Sequence, residues 1–375
     1  MTKKPYDFLI VGAGLFGSVF AHEATKKGYT CKVIEKRNHI AGNIYTKKIH
    51  GIDVHFYGPH IFHTHEKYIW DYICDKVSMD TFINQPLARY KDKLYSLPFS
   101  MYTFKELFGT INPQEAKQRI EEETKPYIKD TYNNLEEKAL SLVGKTIYET
   151  LIKGYTEKQW GRKATDIPAK IIERLPLRFT YNANYFNDAY QGIPSQGYTH
   201  LIETLLTGID VDLNTEFLKN KEAFESLADN VIYTGKIDDY FDQCFGALEY
   251  RSLRFETTYL DTNNFQGNAV INYTEKSIPY TRVVEHKFFS RNQDQKGTVI
   301  TKEYPLEYKE GLEAYYPIGD KKNKQRYYQY EALTKELKHV FFGGRLGSYR
   351  YYDMDDTIMA SLSLVKALTK EEGIT

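Results

Sequence analysis

Gly12-Ala13-Gly14-Leu15-Phe16-Gly17 and the later Glu35 are the residues whose types and spacing first point to chemistry. Gly12 permits a tight turn, Gly14 lets backbone N–H groups approach a pyrophosphate at a helix N-terminus, and Gly17 lets helix and strand pack closely. Glu35 stands where a carboxylate takes ribose hydroxyls. His55, His60, His63 and His65 crowd together and invite a metal reading. No Asp, Glu or Cys set joins them at ligand spacing, so loop or core histidines account for them better. Arg174 sits between Pro168 and Pro176, and Arg282 in a strand-like run. Alone, each arginine reads as half of a surface ion pair.

The elements that must hold these residues are legible around them. Tyr6 to Val11 is an apolar run that predicts a buried strand, Ser18 to Lys27 a helix, and Cys31 to Ile34 a second strand. Strand, glycines, helix, strand and acid in that order form the dinucleotide-binding fingerprint in its proper context, which an ordinary glycine turn lacks. Asp80 to Ser100 reads as extended with a turn at Lys91-Asp92-Lys93, and Thr103 to Lys163 as helical, with a helix start at Asn112-Pro113. Gln191 to Gly197 reads as a break. Period-two runs from Leu248 to Tyr304 predict an antiparallel sheet. A last apolar run, His339 to Phe342, leads into Gly343-Gly344-Arg345 and a closing helix from Asp353.

The expected fold class is therefore α/β: a discontinuous Rossmann-like FAD-binding domain with a helical insert and an antiparallel β-sheet insert. Residues 1–80, 195–245 and 325–375 would form the FAD-binding domain and residues 100–177 the helical domain, with a mobile lid about 161–177. Residues 81–99, 178–194 and 246–324 would form the sheet domain.

The 375 residues are too many for one simple core. Lys+Arg and Asp+Glu are equal at 50 each, so no basic excess argues for nucleic acid. Three scattered cysteines without a CxxC disfavour a disulfide framework and fit a reducing cytoplasm. The basic-then-apolar start feeds the glycine turn, not a cleavage site, and no run reaches the length that spans a bilayer. Tyrosine is abundant at 33 residues, beside 21 phenylalanines, which suits sugar and base contacts but also simply bulky cores.

Two features favour FAD over NAD. After Glu35 and Lys36 the chain runs through Ala41-Gly42-Asn43, close to the Arg-x-x-x-x-Gly-Gly segment that follows the second strand in many flavoproteins, with one glycine missing. The closing strand, Gly343-Gly344-Arg345 and helix would aim N–H groups near Asp353 and Met354 at the flavin.

Several stretches carry a closer likeness: Tyr57-Gly58-Pro59-His60-Ile61-Phe62-His63-Thr64, Gly154-Tyr155-Thr156-Glu157-Lys158-Gln159-Trp160, Tyr280-Thr281-Arg282, Tyr315-Tyr316-Pro317-Ile318 and Gly344 to Tyr351. In these the sequence resembles the bacterial UDP-galactopyranose mutases over essentially its whole length. The resemblance implies FAD active in its reduced form, whose N5 takes the anomeric carbon of UDP-galactopyranose, expels UDP and lets the sugar reclose as a furanose. It assigns Arg174 and Arg282 to the UDP phosphates, with Arg251 as a further active-site arginine. Asn84, Tyr155, Trp160, Tyr185 and Phe186 would line the uridine pocket, and Tyr316 and Tyr351 would lie near the diphosphate and flavin. It puts His60 and His63 beside the flavin ring, and Gly12, Gly14, Phe16, Gly17, Glu35, Lys36, Asn43, Arg345, Asp353 and Met354 around the cofactor. It further implies a reductant such as NAD(P)H, a homodimer and no metal. An FAD amine or porphyrinogen oxidase would share the fingerprint but need an apolar substrate cage. A flavin-free binding protein like the GDP-dissociation inhibitors would not need the intact fingerprint with Glu35.

Overall fold

The computed structural model describes residues 4–172, 177–290 and 293–369. The chain opens with β1 (Tyr6–Val11), α1 (Leu15–Lys26) and β2 (Cys31–Ile34). A charged hairpin follows, β3 (Thr46–Ile49) and β4 (Ile52–His55), then β5 (Phe62–Thr64), α2 (Lys67–Cys74) and β6 (Met79–Thr81). The hairpin β7 (Leu87–Tyr90) and β8 (Lys93–Ser96) leads to four helices: α3 (Met101–Phe108), α4 (Pro113–Thr124), α5 (Leu135–Ile147) and α6 (Lys153–Trp160). Next come β9 (Tyr190–Pro194), α7 (Tyr198–Leu205), β10 (Asp210–Asp212), α8 (Lys221–Glu225), β11 (Ala228–Tyr233) and α9 (Ile237–Tyr240). The long strands β12 (Tyr250–Leu260) and β15 (Thr298–Glu307) enclose β13 (Val270–Tyr273) and β14 (Arg282–Glu285). The chain ends with β16 (Tyr316–Pro317), α10 (Lys321–Thr334), β17 (Val340–Phe342), α11 (Gly344–Gly347) and α12 (Met354–Leu368).

A five-stranded sheet runs β10-β2-β1-β11-β17, and all its pairings are parallel. Parallel strands covered on both faces read as continuous apolar runs, as Phe8, Leu9 and Ile10 do at no more than 1% exposure. The sheet collects strands from both ends of the chain, so the nucleotide domain is assembled discontinuously. Buried Ser361 on α12 donates to Phe16 O at 2.9 Å, tying the last helix to the first.

The helical insert begins where residue chemistry says it should. Asn112 accepts from Glu115 N and caps α4 with Pro113 at its first turn, and Asn134 accepts from Glu137 N to cap α5. Gly144 breaks α5 at φ 76°, because a Cβ there would stand 2.4 Å from Glu123 Cβ. Beyond α6, short 3-10 turns span Ala164–Asp166 and Ala169–Ile172 in the segment expected to be a lid.

The larger sheet runs β16-β12-β15-β14-β13-β7-β8. It departs from the antiparallel expectation at one seam, where β13 and β7 pair in parallel. The expected break at Gln191–Gly197 is also corrected: β9 is the centre of a three-stranded sheet, β5-β9-β6. Gly192 makes this possible, since a Cβ would meet Asp80 O at 2.7 Å and the Trp70 ring at 3.0 Å. Residues 190–194 thus pair with strands near the nucleotide domain and not with the seven-stranded sheet to which 178–194 was expected to belong. Among the described residues no helix is long and apolar enough to cross a membrane.

Candidate functional site

The carboxyl ends of β1 and β2 and the N-terminus of α1 open onto a cleft of about 1530 Å³. Its wall includes Gly12, Gly14, Phe16, Gly17, Glu35, Lys36, Asn43, His60, Arg345 and Met354. The fingerprint glycines serve different ends there. Gly12 has φ +110°, and its Cβ would fall 2.2 Å from Thr234 Oγ1; a Cβ on Gly17 would fall 2.1 Å from Gly12 O. Both are packing requirements. Among the described residues beyond its own stretch of chain, a built Cβ on Gly14 meets only Gly42 Cα at 3.9 Å, so the position is open and a side chain would fill the cradle. No side chain caps α1 at Gly14, leaving its first N–H groups for an anion. Glu35 accepts from Ala13 N and Arg37 N, both at 2.9 Å, and each oxygen keeps a lone pair for a hydroxyl.

Arg37, which sequence reasoning missed, closes one side. It donates to Glu313 Oε2 at 2.8 Å and Asn43 Oδ1 at 3.1 Å and lies over the Tyr57 ring, while its buried Nη1 has no partner among the described residues. An open glycine cradle, an uncapped helix end and an orphaned guanidinium nitrogen fit a dinucleotide such as FAD.

A second group gathers around Arg282. Strand register places Arg282 directly opposite Glu303 on β15, and Arg282 Nε donates to Glu303 Oε1 at 3.1 Å. Burial works to lower the Arg282 pKa, but the Glu303 charge, with Tyr155, Tyr316 and Tyr185 nearby, outweighs it and holds the pKa raised. Tyr316 and Tyr351 stack at 6.0 Å between ring centroids, and the Arg345 guanidinium lies over both, 5.6 Å and 4.7 Å away. Adjacent residues of a strand face opposite ways: Tyr315 is 4% exposed and packs near Tyr57 and Phe255, whereas Tyr316 faces the arginines. Partial burial raises the pKa of Tyr155 and Tyr316, while Tyr351 stands exposed at the edge; these phenols stay protonated, and Tyr316 and Tyr351 can donate to an anion beside Arg282. Asp353 caps α12 next to this group. Burial pushes its pKa up, opposed by the charges of His63 and Arg345.

The histidines divide by environment. His60 donates from Nδ1 to Gly58 O at 2.8 Å, and burial with the nearby Arg345 pulls its pKa down to about 4. It therefore stands neutral on the cleft wall with Nε2 as an acceptor. His63 Nδ1 and His65 Nε2 share Asp188 at 2.6 Å and 2.8 Å, and His63 stacks on Phe186. His55 Nδ1 accepts from His60 N, and His286 Nδ1 accepts from His55 N. Both rings are 1% exposed, and burial lowers both pKa values, that of His286 to about 3. The unfolded chain, with histidine near 6.5, binds protons that these rings refuse. Stability should therefore fall as pH drops below about 6.5, by about 1.4 kcal/mol per pH unit for each histidine. Melting temperatures across that range should show a shallower acid slope in His286→Gln than in wild type; equal slopes would remove His286 from the account.

The remaining expected residues are spread more widely. Trp160 and Arg251 line the same cleft as the glycine turn, while Tyr155, on the same helix as Trp160, faces Arg282. Arg251 Nε donates to Gln159 O at 2.9 Å and lies under Gly161, the left-handed residue that ends α6. Asn84 is buried and accepts from Tyr185 N through its carbonyl, which fixes the loop carrying Tyr185 and Phe186. Arg174 lies outside the described residues. Glu303 and Asp188 also escaped sequence reasoning, since each is defined by a partner far away in the chain.

Comparison with known proteins bears directly on this arrangement. Residues 150–351, which hold most of the second group, match the family model described as UDP-galactopyranose mutase; residues 10–75 match an NAD(P)-binding Rossmann-like domain. A probable UDP-galactopyranose mutase of Klebsiella pneumoniae is 40% identical over 95% of this chain and 93% of its own length. A dTDP-fucopyranose mutase of Escherichia coli is 35% identical over 96% of this chain and 98% of its own. The fold is similar to that of a reduced UDP-galactopyranose mutase, with a TM-score of 0.76, 15% identity and coverage of 98% of this chain and 96% of that one. A putative protoporphyrinogen oxidase from Exiguobacterium shares the fold less closely, at a TM-score of 0.62. With the glycine cradle, the Arg282 cluster and relatives alike over nearly their full lengths, this chain belongs to the UDP-galactopyranose mutase family.

Proposed function

We propose that this protein interconverts UDP-galactopyranose and UDP-galactofuranose, using FAD held in its reduced form in the glycine-lined cleft. The observation that carries the reading is the half-buried Arg282, flanked by phenols on three other elements and placed close to the cleft wall through Arg345 and His60. Bound there, reduced FAD would supply an electron-rich nucleophile for the sugar's anomeric carbon. Gly14 and the α1 N-terminus hold its pyrophosphate, Glu35 its ribose, and Arg37 adds a fixed cation. Arg282, with Tyr316 and Tyr351 as neutral donors, holds the nucleotide diphosphate and stabilises the charge it gains on leaving, while Tyr155 on α6 lines the uridine pocket. Neutral His60 offers an acceptor, not a charge, beside the reacting atoms. Arg174 would add a second cation over the diphosphate, as the family resemblance implies.

This arrangement does not suit the oxidase alternative, which calls for an apolar cage. The E. coli relative supports testing one further substrate, dTDP-fucopyranose. Dithionite-reduced protein should convert UDP-galactofuranose to the pyranose form on HPLC, and the unreduced protein should not. Conversion of dTDP-fucopyranose alone would move the substrate, and conversion of neither would end the mutase reading.

A further inference from the structure

Lys158 belongs to the Gly154–Trp160 stretch and borders the cleft, yet its ammonium is engaged by the backbone. Its Nζ donates to three backbone carbonyls: Tyr273 O at 2.7 Å, Tyr280 O at 2.9 Å and Ile278 O at 3.0 Å. An ammonium has three N–H donors, and all three are used. The acceptors are the last residue of β13, Tyr273, and two residues of the turn that joins it to β14, with Tyr280 two residues before Arg282. Other contacts bind the same two pieces. A Cβ on Gly154 would stand 2.2 Å from Thr274 O, so only glycine lets α6 come this near the turn. Thr274 Oγ1 donates to Thr150 O at 2.7 Å, and Lys276 pairs with Glu157 at 2.9 Å. Glu157 also accepts from Ala164 N, where the expected lid segment begins. Burial draws the Lys158 pKa down to about 8, against a weak pull from Glu275, so the protein accepts a desolvation cost at this position.

We propose that Lys158 is a positioning residue: its three-way grip on the β13–β14 turn fixes α6, and with it Tyr155, against the strand that begins at Arg282, and so sets nucleotide affinity. Three diverging carbonyls call for a compact ammonium, which the flat fork of arginine does not match. Tyr155 and Arg282 lie on separate pieces of chain, and a ligand that bridges them gains from their being held at fixed separation.

The inference rests on the reading of this site as a UDP site, and the test separates the two. Dissociation constants of UDP for the flavin-bearing protein are measured by calorimetry, with inhibition constants of uridine and of pyrophosphate taken separately. In Lys158→Met, UDP should bind at least about tenfold more weakly and KM should rise in parallel, with kcat within about threefold of wild type. Uridine and pyrophosphate, each touching one piece, should change by less than about threefold. A merely structural role would weaken all three ligands alike or lower flavin content. Lys158→Gln, which keeps two donors, should fall between, and it carries the test where the methionine variant does not accumulate. Unchanged UDP affinity, or equal losses for all three ligands, overturns the proposal. Wild-type protein that binds no UDP overturns the nucleotide reading and this inference together.

Discussion

Arg282→Ala should lower kcat/KM for the nucleotide sugar by roughly 100- to 1000-fold while flavin stays bound, the range for loss of one preorganised charge-assisted contact to a developing anion. Arg282 has a second duty that the experiment must separate. Glu303 is 1% exposed, and Arg282 is its cation. Truncating Arg282 alone leaves a buried carboxylate unpaired, which costs about 3–5 kcal/mol of stability. Arg282→Ala/Glu303→Gln removes that penalty. The double variant should regain much of the melting temperature lost in the single one and none of the turnover. Recovery of both would make Arg282 a structural partner of Glu303 only, and near-wild-type turnover in either variant would remove its phosphate role.

Gly14→Val should give a folded, colourless protein. Gly14 has φ −80°, which any residue adopts, and a built Cβ meets nothing closer than 3.9 Å. The added side chain would sit where the cofactor's pyrophosphate must approach the backbone. Gly17→Val is the contrast: its Cβ would collide with Gly12 O at 2.1 Å, so that variant should fail to fold. Circular dichroism with flavin absorbance distinguishes the cases. A Gly14→Val protein carrying a full complement of flavin would mean that the cofactor does not use this turn.

The nucleotide half of the site was legible because its signals are local. The glycine turn and its flanking strands fall within Tyr6–Glu35, and the closing Gly343-Gly344-Arg345 unit directly follows its own strand. Alternation on a strand says only that Tyr315 and Tyr316 face opposite ways; spacing to Tyr351 is what picks Tyr316. The Arg282 group was legible only as separate residues. Its charge partner depends on β14–β15 register, and its tyrosines come from α6, β16 and the loop before α12. Arg37 carries no local signal, because the partner that orients it, Glu313, comes from the far end of the chain. The small β5-β9-β6 sheet hid behind glycines and prolines that read as a break, although Gly192 is there to admit Trp70. The parallel β7·β13 seam joins segments nearly two hundred residues apart, beyond the reach of any periodicity. Helix α10 escaped because its apolar face is built largely from tyrosines among lysines, which blurs the helical pattern.

The shared sheet of β1, β11 and β17, with Ser361 bonded to Phe16, has a consequence for how the protein is made. The turn that would grip the cofactor is synthesised long before α12, whose Met354 and Thr357 line the same cleft. A complete pocket therefore requires α12 as well as the glycine turn. The nascent chain must keep the exposed edge of β1 from foreign strands until β11 arrives, and removal of α12 would strip the pocket even with every fingerprint glycine intact.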